Sequence, residues 1–244
     1  MQRHIDTRDR TSTAELSAYH YVLTAIRTGR FAPGSRLIAE DIAAAVNMSR
    51  MPVREAFRRL ATEGLVVLRP NVGCIVSGLS VDEIFEVFEI RAVLEGLAVR
   101  LAMPHINEQA LSHLDHLLAL MKESDRAGHD DWIARHHDFH RHLCSLCGRR
   151  KLMRQIQTLH VSIEPYLRIY YHHVEKPRTA DEAHRVLFKV IRSGDPASAE
   201  QAVRSHVCGT APMLAAFINK MGEGAWSAIA PESSSSTATT FRWG

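Results

Sequence analysis

From Ser80 onward, the sequence repeats the apolar spacing of an α-helix with only short breaks up to about residue 219. Ser80 and Glu83 have the spacing of a capping box, in which the two side chains bind free N–H groups at the start of a helix. Six helices are predicted, over residues 80–103, 107–126, 130–147, 150–173, 180–193 and 196–219. Such a segment folds by packing the apolar faces of its helices together, which predicts an all-helical antiparallel bundle.

The first third of the chain has a different pattern, with shorter elements. Three stretches have helical spacing, and two β-rich stretches flank the turn sequence Pro70-Asn71-Val72-Gly73. In order, these are helices over residues 12–28, 37–46 and 52–64 and strands over residues 65–68 and 74–77. This order predicts a helix-turn-helix followed by a small two-stranded wing, so the fold as a whole is expected to be mainly α.

Domain boundaries follow from these patterns. Residues 12–78 are the predicted winged helix-turn-helix domain, and residues 79–221 are the predicted helical domain. Residues 1–11 are polar and charged and are expected to form a flexible arm. Residues 222–244 include four consecutive serines and are expected to be a disordered tail.

The charge is unevenly distributed along the chain. Thirty basic and 27 acidic residues give a net charge of only +3, but residues 1–78 contain 11 Arg, no Lys and 7 acidic residues. The excess positive charge therefore lies in the predicted winged domain, where it favours a nucleic-acid partner. The histidines have the opposite distribution, since 13 of the 15 follow residue 78.

Several classes of protein are excluded by the sequence. No apolar run reaches the roughly 20 residues of a membrane span, and the first ten residues lack the apolar core of a signal peptide. A cytoplasmic protein without a membrane partner is therefore expected. The four cysteines are scattered, which argues against a disulfide framework. Cys144 and Cys147 form a C-x-x-C pair within a helical pattern, and core thiols are favoured there over a redox or zinc site.

A row of arginines is the sharpest local signal in the first third. Arg50, Arg54 and Arg58 are spaced four residues apart and share one face of a predicted helix. Ser49 suits the N-cap of this helix, and Pro52 suits its first turn. A guanidinium row of this kind can pair with guanine edges and grip phosphates in a DNA groove. Taken alone, the row is equally compatible with a solvated basic helix face.

Three short motifs, PGSRL, SRMPVREA and EGL, occur together between Pro33 and Leu65. With the predicted elements, they resemble the winged helix-turn-helix domain of the GntR family over about residues 12–78. Asn47 stands where the family usually has Gly in the turn between helices, and Asn tolerates the left-handed conformation needed there. The resemblance implies a helix in the major groove of double-stranded DNA and a wing tip near the minor groove. The contact residues that it implies are Arg36, Ser49, Arg50, Pro52, Arg54, Arg58 and Gly73.

Four histidines of the helical domain lie on apolar helix faces. His136 and His140 are four residues apart, so one helix can present both to a single ion. His184 and His206 lie eleven residues before and after Asp195, and in an antiparallel hairpin closed at Asp195 they sit at the same height. A single buried His is usually a core residue with one hydrogen-bond partner. Four at matched heights favour a metal site of three or four imidazoles.

The sequence around these histidines resembles the FCD domain, the all-helical effector domain of the FadR subfamily, over about residues 80–220. The match lies in Phe139-His140, in Glu182-Ala183-His184 and in the segment that ends in His206. Many members bind a divalent metal through Asp-x-x-x-His and two further His. Because His136 stands at the Asp position, a hard anionic oxygen is missing, and Zn²⁺ or Ni²⁺ is expected rather than Mn²⁺. Whether His136 is itself a ligand stays open.

The same resemblance implies a small organic acid bound beside or on the metal. Arg91 is the first candidate for its carboxylate, since Arg91-Ala92-Val93-Leu94-Glu95 matches the family's R-x-x-L-E and lies in an apolar stripe. An interior Arg needs a partner, and an ion pair with Glu95 is an equal alternative. Tyr166 and Arg168 are further candidates for effector contact.

Together these features predict a homodimeric transcription regulator that is not an enzyme. Two winged domains would bind the half-sites of a palindromic operator, and an acid held at the metal would change their spacing. Two alternatives stay open: a metalloenzyme in which the histidines activate water on the metal, and a DNA binder in which the metal is purely structural. The nearby acids Asp138 and Glu182 do not share the histidines' face, which argues against the enzyme.

Overall fold

The computed structural model describes residues 7–70, 73–124, 129–173 and 177–221. The predicted tail and the first six residues of the predicted arm lie outside these ranges. The described residues form ten α-helices, a 3-10 turn and three short strands, arranged in two domains with separate apolar cores. Within the described ranges, no helix combines the length and apolarity that crossing a membrane requires.

The N-terminal domain combines three helices with a three-stranded antiparallel sheet. In the sheet, β3 lies in the middle with β1 and β2 on either side. The predicted helix-turn-helix and hairpin are both present. The elements are α1 (Thr7–Arg27), β1 (Arg36–Leu37), α2 (Ala39–Ala45), α3 (Arg50–Thr62), β2 (Val66–Arg69) and β3 (Gly73–Val76).

The wing has one strand more than the sequence predicts. Arg36 pairs with Ile75 and Leu37 pairs with Cys74, so β1 adds a third strand to the hairpin. Helix α2 consequently begins at Ala39, and the helix predicted over residues 37–46 is too long. Local periodicity cannot reveal β1, because its hydrogen-bond partners lie far along the chain.

Two further details of this domain concern backbone conformation. Helix α1 begins at Thr7, so residues 7–11 are helical and differ from the flexible arm that the sequence predicts. Asn47 has a φ of 52°, in the left-handed region. The expectation that Asn replaces Gly in the turn between α2 and α3 is therefore confirmed.

The C-terminal domain is a bundle of seven helices. Helix α4 starts at the predicted capping box: the Ser80 hydroxyl accepts from Glu83 N at 3.2 Å, and the Glu83 carboxylate accepts from Ser80 N at 2.7 Å. A 3-10 turn, Met103–His105, follows α4. The helices are α4 (Val81–Ala102), α5 (Glu108–Ser124), α6 (His129–Ser145), α7 (Arg150–His173), α8 (Pro177–Arg192), α9 (Pro196–Cys208) and α10 (Ala211–Met221).

The prediction of a single helix over residues 196–219 is wrong, because the segment forms two helices, α9 and α10, with an interruption between them. Pro212 lies in the first turn of α10 and has no N–H with which to continue the α9 ladder to the carbonyl of Cys208. Gly209 sits at the end of α9. Elsewhere in the core, Cys144 and Cys147 are buried free thiols.

Two hydrogen bonds tie the linker and α1 to the helical bundle, and Val161 of α7 also packs against the N-terminal core. The backbone N–H of Leu79, in the linker, donates to the hydroxyl of Tyr166 on α7 at 2.5 Å. Arg27, the last residue of α1, donates from Nε to Oε2 of Glu164 on α7 at 2.6 Å. Helix α7 is therefore the element of the bundle that holds the N-terminal domain.

Candidate functional site

Helix α3 exposes its arginine row and buries its opposite face. Arg50, Arg54 and Arg58 are exposed. This is the arrangement that the four-residue spacing predicts, since the apolar residues between them anchor the helix to the N-terminal core. The buried residues of α3 are Pro52, Val53, Ala56, Phe57 and Leu60.

The three arginines differ in their partners. Arg50 donates from Nη1 to Glu40 Oε1 at 2.6 Å, and this hydrogen bond lowers the pKa of Glu40. Arg58 pairs with Glu55. Arg54 forms no ion pair with any residue in the described part of the chain. Arg54 is therefore the member of the row that can bind an external anion without first breaking an ion pair within the protein.

The other residues that the GntR resemblance implies fall into two groups. Ser49 is exposed at the N-cap of α3, and its side chain makes no cap hydrogen bond. Arg36 is exposed beside the wing, and a Cβ added at Gly73 would lie 3.9 Å from Arg36 Nε. Pro52, in contrast, is buried, so it shapes the first turn of α3 and is removed from the set of expected DNA contacts.

The four predicted histidines meet in the interior of the bundle. His136 and His140 come from α6, His184 from α8 and His206 from α9. One ring nitrogen of each lies within 4.8 Å of those of the other three. The Nε2 atoms of His140 and His184 are 3.0 Å apart, and the rings of His184 and His206 lie 4.4 Å apart between centres. We call these four residues the histidine cluster.

The electrostatics of the histidine cluster favour neutral imidazoles. Burial, followed by repulsion from His140 and His184, lowers the pKa of His136 well below its usual value. Burial and then His140 lower the pKa of His206 to about 3. A neutral imidazole offers a lone pair, and four that converge form a donor set suited to a borderline cation. The residues present therefore fit a divalent metal ion.

An aromatic residue, Trp132, packs against the histidine cluster. The indole of Trp132 stacks on the ring of His136, with centres 5.1 Å apart and planes 22° apart. Trp132 is fully buried, and its Nε1 donates to Asp181 Oδ1 at 3.1 Å. This bond ties α6 to α8 next to His184, so the two helices that carry three of the four histidines are fixed relative to each other.

A buried carboxylate, Glu95 on α4, lies beside the cluster. Its Oε1 accepts from Arg91 Nε at 2.9 Å and from His160 Nε2 at 2.8 Å. Its Oε2 is 3.5 Å from His140 Nδ1 and has no hydrogen-bond partner among the described residues. Burial alone would raise the pKa of Glu95, but the charge of Arg91 and then the interaction with His160 outweigh it, so the pKa lies well below its usual range.

Arg91 combines the two roles that the sequence leaves open. It forms the alternative ion pair with Glu95, yet its Nη1 is buried without a hydrogen-bond partner in the described structure. Arg91 also lines a cavity of about 10 Å³ together with His136, His140 and His206. This volume holds about one water molecule. Arg91 thus keeps a donor that no described residue uses, and the cavity that it lines together with three of the histidines is too small for an organic acid in this conformation.

The other two effector candidates lie elsewhere. Tyr166 accepts from the linker N–H of Leu79, and burial raises its pKa to about 12. Arg168 donates to Glu164 Oε1 at 3.0 Å. Neither residue lines the small cavity beside the cluster. Tyr166 therefore ties the linker to α7, Arg168 forms an ion pair within α7, and effector contact by either residue stays a prediction.

Comparison with protein families gives the architecture directly. The family described as bacterial regulatory proteins, gntR family, matches residues 15–76, and the FCD domain matches residues 86–208. The chain belongs to the GntR family. Its pairing of a GntR helix-turn-helix with an FCD domain is the architecture of the FadR-like subfamily. This GntR protein is a DNA-binding transcription regulator.

Curated relatives agree with this assignment. A probable D-xylose utilization operon transcriptional repressor of Paenarthrobacter nicotinovorans is 30% identical over 195 residues, which cover 80% of this chain and 86% of the relative. The HTH-type transcriptional repressor RspR of Escherichia coli K12 is 27% identical over 177 residues, which cover 72% and 78%. These relatives are regulators and not enzymes, and the expectation that this chain is a regulator is confirmed.

A solved structure shows the same fold. McbR/YncC of E. coli matches with a TM-score of 0.75 and 23% identity, over 84% of this chain and 98% of that one. At this identity the likeness concerns the fold alone. It confirms the mainly helical GntR architecture with a small wing.

The sequence does not predict several residues of the FCD domain that contact the histidine cluster or its neighbours. The i, i+4 spacing of Arg91 and Glu95 signals an interior pair, but nothing in the sequence places His160 on Glu95. Trp132 is four residues before His136, and that spacing is the one signal of its stacking. Glu164 and its interdomain bond have no local signal at all.

Proposed function

We propose that the histidine cluster holds one divalent metal ion, Zn²⁺ or Ni²⁺ rather than Mn²⁺, in the FCD domain of this GntR regulator. The observation that carries the proposal is the convergence of four imidazole nitrogens from three helices within 4.8 Å. Four nitrogen donors without a carboxylate suit borderline cations. A metal bound there supplies a Lewis acid and fastens α6, α8 and α9 together.

We further propose that the effector is a small organic acid whose carboxylate pairs with Arg91. The support is Arg91 itself, which lines the cavity next to the histidine cluster and whose buried Nη1 has no acceptor among the described residues. The cavity of about 10 Å³ has to widen to admit an acid. The acid therefore binds more tightly to a conformation in which the surrounding helices are further apart. An allosteric switch requires such a difference in ligand affinity between two conformations.

A purely structural metal is the second candidate. The observation in its favour is the same small cavity, because four His ligands without an open position describe a closed, structural site. Thermal unfolding of the zinc-loaded protein against a panel of small carboxylates separates the two roles. Stabilisation by one acid in the wild type, lost in Arg91→Met, supports the effector site. Equal unfolding temperatures with every acid support the structural metal.

For DNA binding, we propose that α3 enters the major groove and the wing lies at the minor groove. Arg50, Arg54 and Arg58 form the exposed row, with Ser49 at its N-terminal end. Arg36 and Gly73 lie together at the wing. Two such domains bound to a palindromic operator require a dimer of the chain.

We propose that α4 forms the homodimer interface. Ile90, Val93 and Leu97 are between 40 and 49% exposed and share one face of this helix. Glu89 precedes this stripe and Arg100 follows it, both exposed. In an antiparallel pair related by a two-fold axis, the acidic end of one stripe meets the Arg100 end of the other, so charge and apolar surface are both complementary.

Val93→Glu is expected to weaken the dimer by about 30-fold, or ~2 kcal/mol, because it places two carboxylates in the proposed α4 interface. Sedimentation velocity over a concentration series measures the change. Val186→Glu is the matched control, since Val186 is a 61% exposed valine on α8 of the same domain. If Val93→Glu sediments like the wild type, the interface does not lie on this stripe.

Arg54→Ala is expected to reduce specific operator affinity by about 5- to 150-fold, or ~1–3 kcal/mol, because Arg54 is the exposed member of the row that forms no ion pair within the described residues. An operator selected from random duplexes and fluorescence anisotropy with random duplex as competitor provide the measurement.

Arg192→Ala removes the same charge from an exposed position on α8 and is expected to leave operator affinity unchanged. An Arg54→Ala protein that binds operator as tightly as the wild type would show that α3 does not read the groove through this row. Wild-type affinity equal for all duplexes at moderate salt would contradict sequence-specific binding altogether.

A further inference from the structure

A line of neighbouring polar side chains leads from the histidine cluster to the junction of the domains, with hydrogen bonds in its middle and longer contacts of 3.5 and 4.0 Å at its two ends. His140 belongs to the cluster, and its Nδ1 lies 3.5 Å from Glu95 Oε2. The other oxygen of Glu95 accepts from His160 Nε2 at 2.8 Å. His160 Nδ1 in turn lies 3.2 Å from His137 Nδ1. The line thus crosses from α6 to α4, to α7 and back to α6.

The contacts favour one arrangement of protons along this line. His160 Nε2 lies 2.8 Å from Glu95 Oε1 and 3.3 Å from Arg91 Nη2, and the shorter contact with the carboxylate favours the tautomer in which this nitrogen carries the hydrogen and donates it. In a neutral ring, Nδ1 of His160 is then an acceptor, and Nδ1 of His137 donates to it. Each side chain is therefore oriented by the next one. A rotation of Glu95 cannot leave His160 and His137 in place.

The far end of the line is an ion pair between the domains. His137 Nε2 lies 4.0 Å from Glu164 Oε2, and the same oxygen accepts from Arg27 Nε at 2.6 Å. The Glu164 side chain is 2% exposed and that of Arg27 is 42% exposed. Glu164 is thus a buried carboxylate of the FCD domain that pairs through Oε1 with Arg168 of its own helix and through Oε2 with Arg27 of α1 in the DNA-binding domain. Both residues line a cleft of about 500 Å³ between the domains.

Helix α1 is in turn packed against the DNA-reading helix. Tyr19 of α1 donates from its hydroxyl to Glu63, which follows directly after α3, and its ring lies under the guanidinium of Arg59 at 4.0 Å. Both helices also contribute to one apolar core. Because of this packing, a change in the position of Arg27 is passed to α3 as a movement of the whole domain.

We infer that Glu164 and Arg27 form a latch between the domains, and that the Glu95–His160–His137 line couples this latch to the histidine cluster. Glu95, His160 and His137 are positioning residues in this account. The coupling rests on the proposed metal site, since it is the fixing of His140 within an occupied cluster that holds Glu95 and the rest of the line in place. The latch itself stands on the ion pair alone.

Hydrogen exchange of the full-length protein, read by mass spectrometry with and without Zn²⁺, tests both statements. In the wild type, Zn²⁺ is expected to slow exchange in peptides of α6, α8 and α9 and also in the last turn of α1 and the linker at Leu79. In Glu164→Gln, the α1 and linker peptides are expected to exchange faster than in the wild type before any metal is added. Their response to Zn²⁺ is expected to be lost, while the response of α6, α8 and α9 remains.

Substitutions of Arg27, the partner of Glu164 in the DNA-binding domain, separate loss of the ion pair from a local packing defect at Glu164. Arg27→Gln is expected to reproduce Glu164→Gln, and Arg27→Lys, which keeps the charge, is expected to restore part of the response. Arg192→Gln is the matched control, because it also removes one arginine charge, from an exposed position on α8 that belongs neither to the pairs of Glu164 nor to the α4 stripe.

Each outcome bears on one statement. Protection of α6, α8 and α9 without any response in α1 of the wild type overturns the coupling but not the metal site. A zinc response of α1 that survives in Glu164→Gln assigns the coupling to another route and overturns the role of the latch. Absence of protection in α6, α8 and α9 overturns the proposed metal site and the coupling with it. Unchanged α1 exchange in metal-free Glu164→Gln overturns the latch.

Discussion

Replacing His184 with alanine is expected to weaken zinc binding by about 100- to 1,000-fold. The apparent binding free energy of four-ligand zinc sites is about 10–16 kcal/mol, so one ligand contributes ~2.5–4 kcal/mol. His184 is 2% exposed, and its Nε2 faces that of His140 at 3.0 Å, so no other described side chain is placed to replace it. Competition with a chromophoric chelator of known affinity measures the loss.

His116→Ala is the matched control, because it removes an exposed imidazole of α5 that lies outside the histidine cluster. His136→Ala addresses the ligand that the sequence leaves open, and a loss as large as that of His184→Ala would assign His136 to the metal. In His136→Asp, the restored carboxylate is expected to shift preference toward Mn²⁺. Zinc affinity unchanged in His184→Ala would contradict a metal centre at the cluster.

Glu95→Gln is expected to lower the free energy of unfolding by about 3–5 kcal/mol. Arg91 is 3% exposed and depends on Glu95 for its counter-charge, so the substitution leaves a buried cation uncompensated. The variant also replaces the acceptor of His160. Urea denaturation of the metal-free protein measures the change without any contribution from zinc.

The double variant Arg91→Met, Glu95→Met separates the charge effect from packing. Apolar residues of similar size can replace a buried ion pair at little cost, so most of the lost stability is expected to return. Asp138→Asn is the control, since its pairs with Arg135 and Arg141 are partly exposed and are expected to contribute less than about 1 kcal/mol. A double variant as unstable as Glu95→Gln would show that packing, and not the unpaired charge, causes the loss.

The convergence of the four histidines was predictable because their positions follow from simple geometry. His136 and His140 are one helical turn apart, and His184 and His206 are placed symmetrically about the N-cap residue Asp195. An antiparallel hairpin therefore brings the last two to one height, whatever the details of packing. The arginine row of α3 was predictable for the same reason, since helical periodicity alone separates its exposed and buried faces.

The surroundings of the cluster were not predictable, because they depend on how separate helices cross. His160 and Glu164 lie on α7, and the crossing of α7 with α4 and α1 decides that they meet Glu95 and Arg27. No local pattern encodes such crossings. Tyr166, on the long helix predicted over residues 150–173, was a candidate for effector contact, and in the structure its hydroxyl accepts from the linker N–H of Leu79.

Two element boundaries show the same limit on a smaller scale. Strand β1 exists because Arg36 and Leu37 pair with β3, and isolated residues next to a turn give no sign of such pairing. The break after Cys208 was missed because the apolar spacing continues from α9 into α10. Pro212 was the available signal, since it cannot donate the backbone hydrogen bond that a continuous helix needs.

X-ray absorption at the zinc edge of the metal-loaded protein tests the central claim, that the histidine cluster is the metal centre of this GntR regulator. The account predicts one zinc ion per chain with nitrogen donors at about 2.0–2.1 Å and the outer-shell scattering of imidazole rings. The same spectrum of a protein lacking His140, His184 and His206 should lose this signature. Sulfur at about 2.3 Å would place the metal at the cysteines instead, and oxygen donors alone would show that the histidines do not bind it.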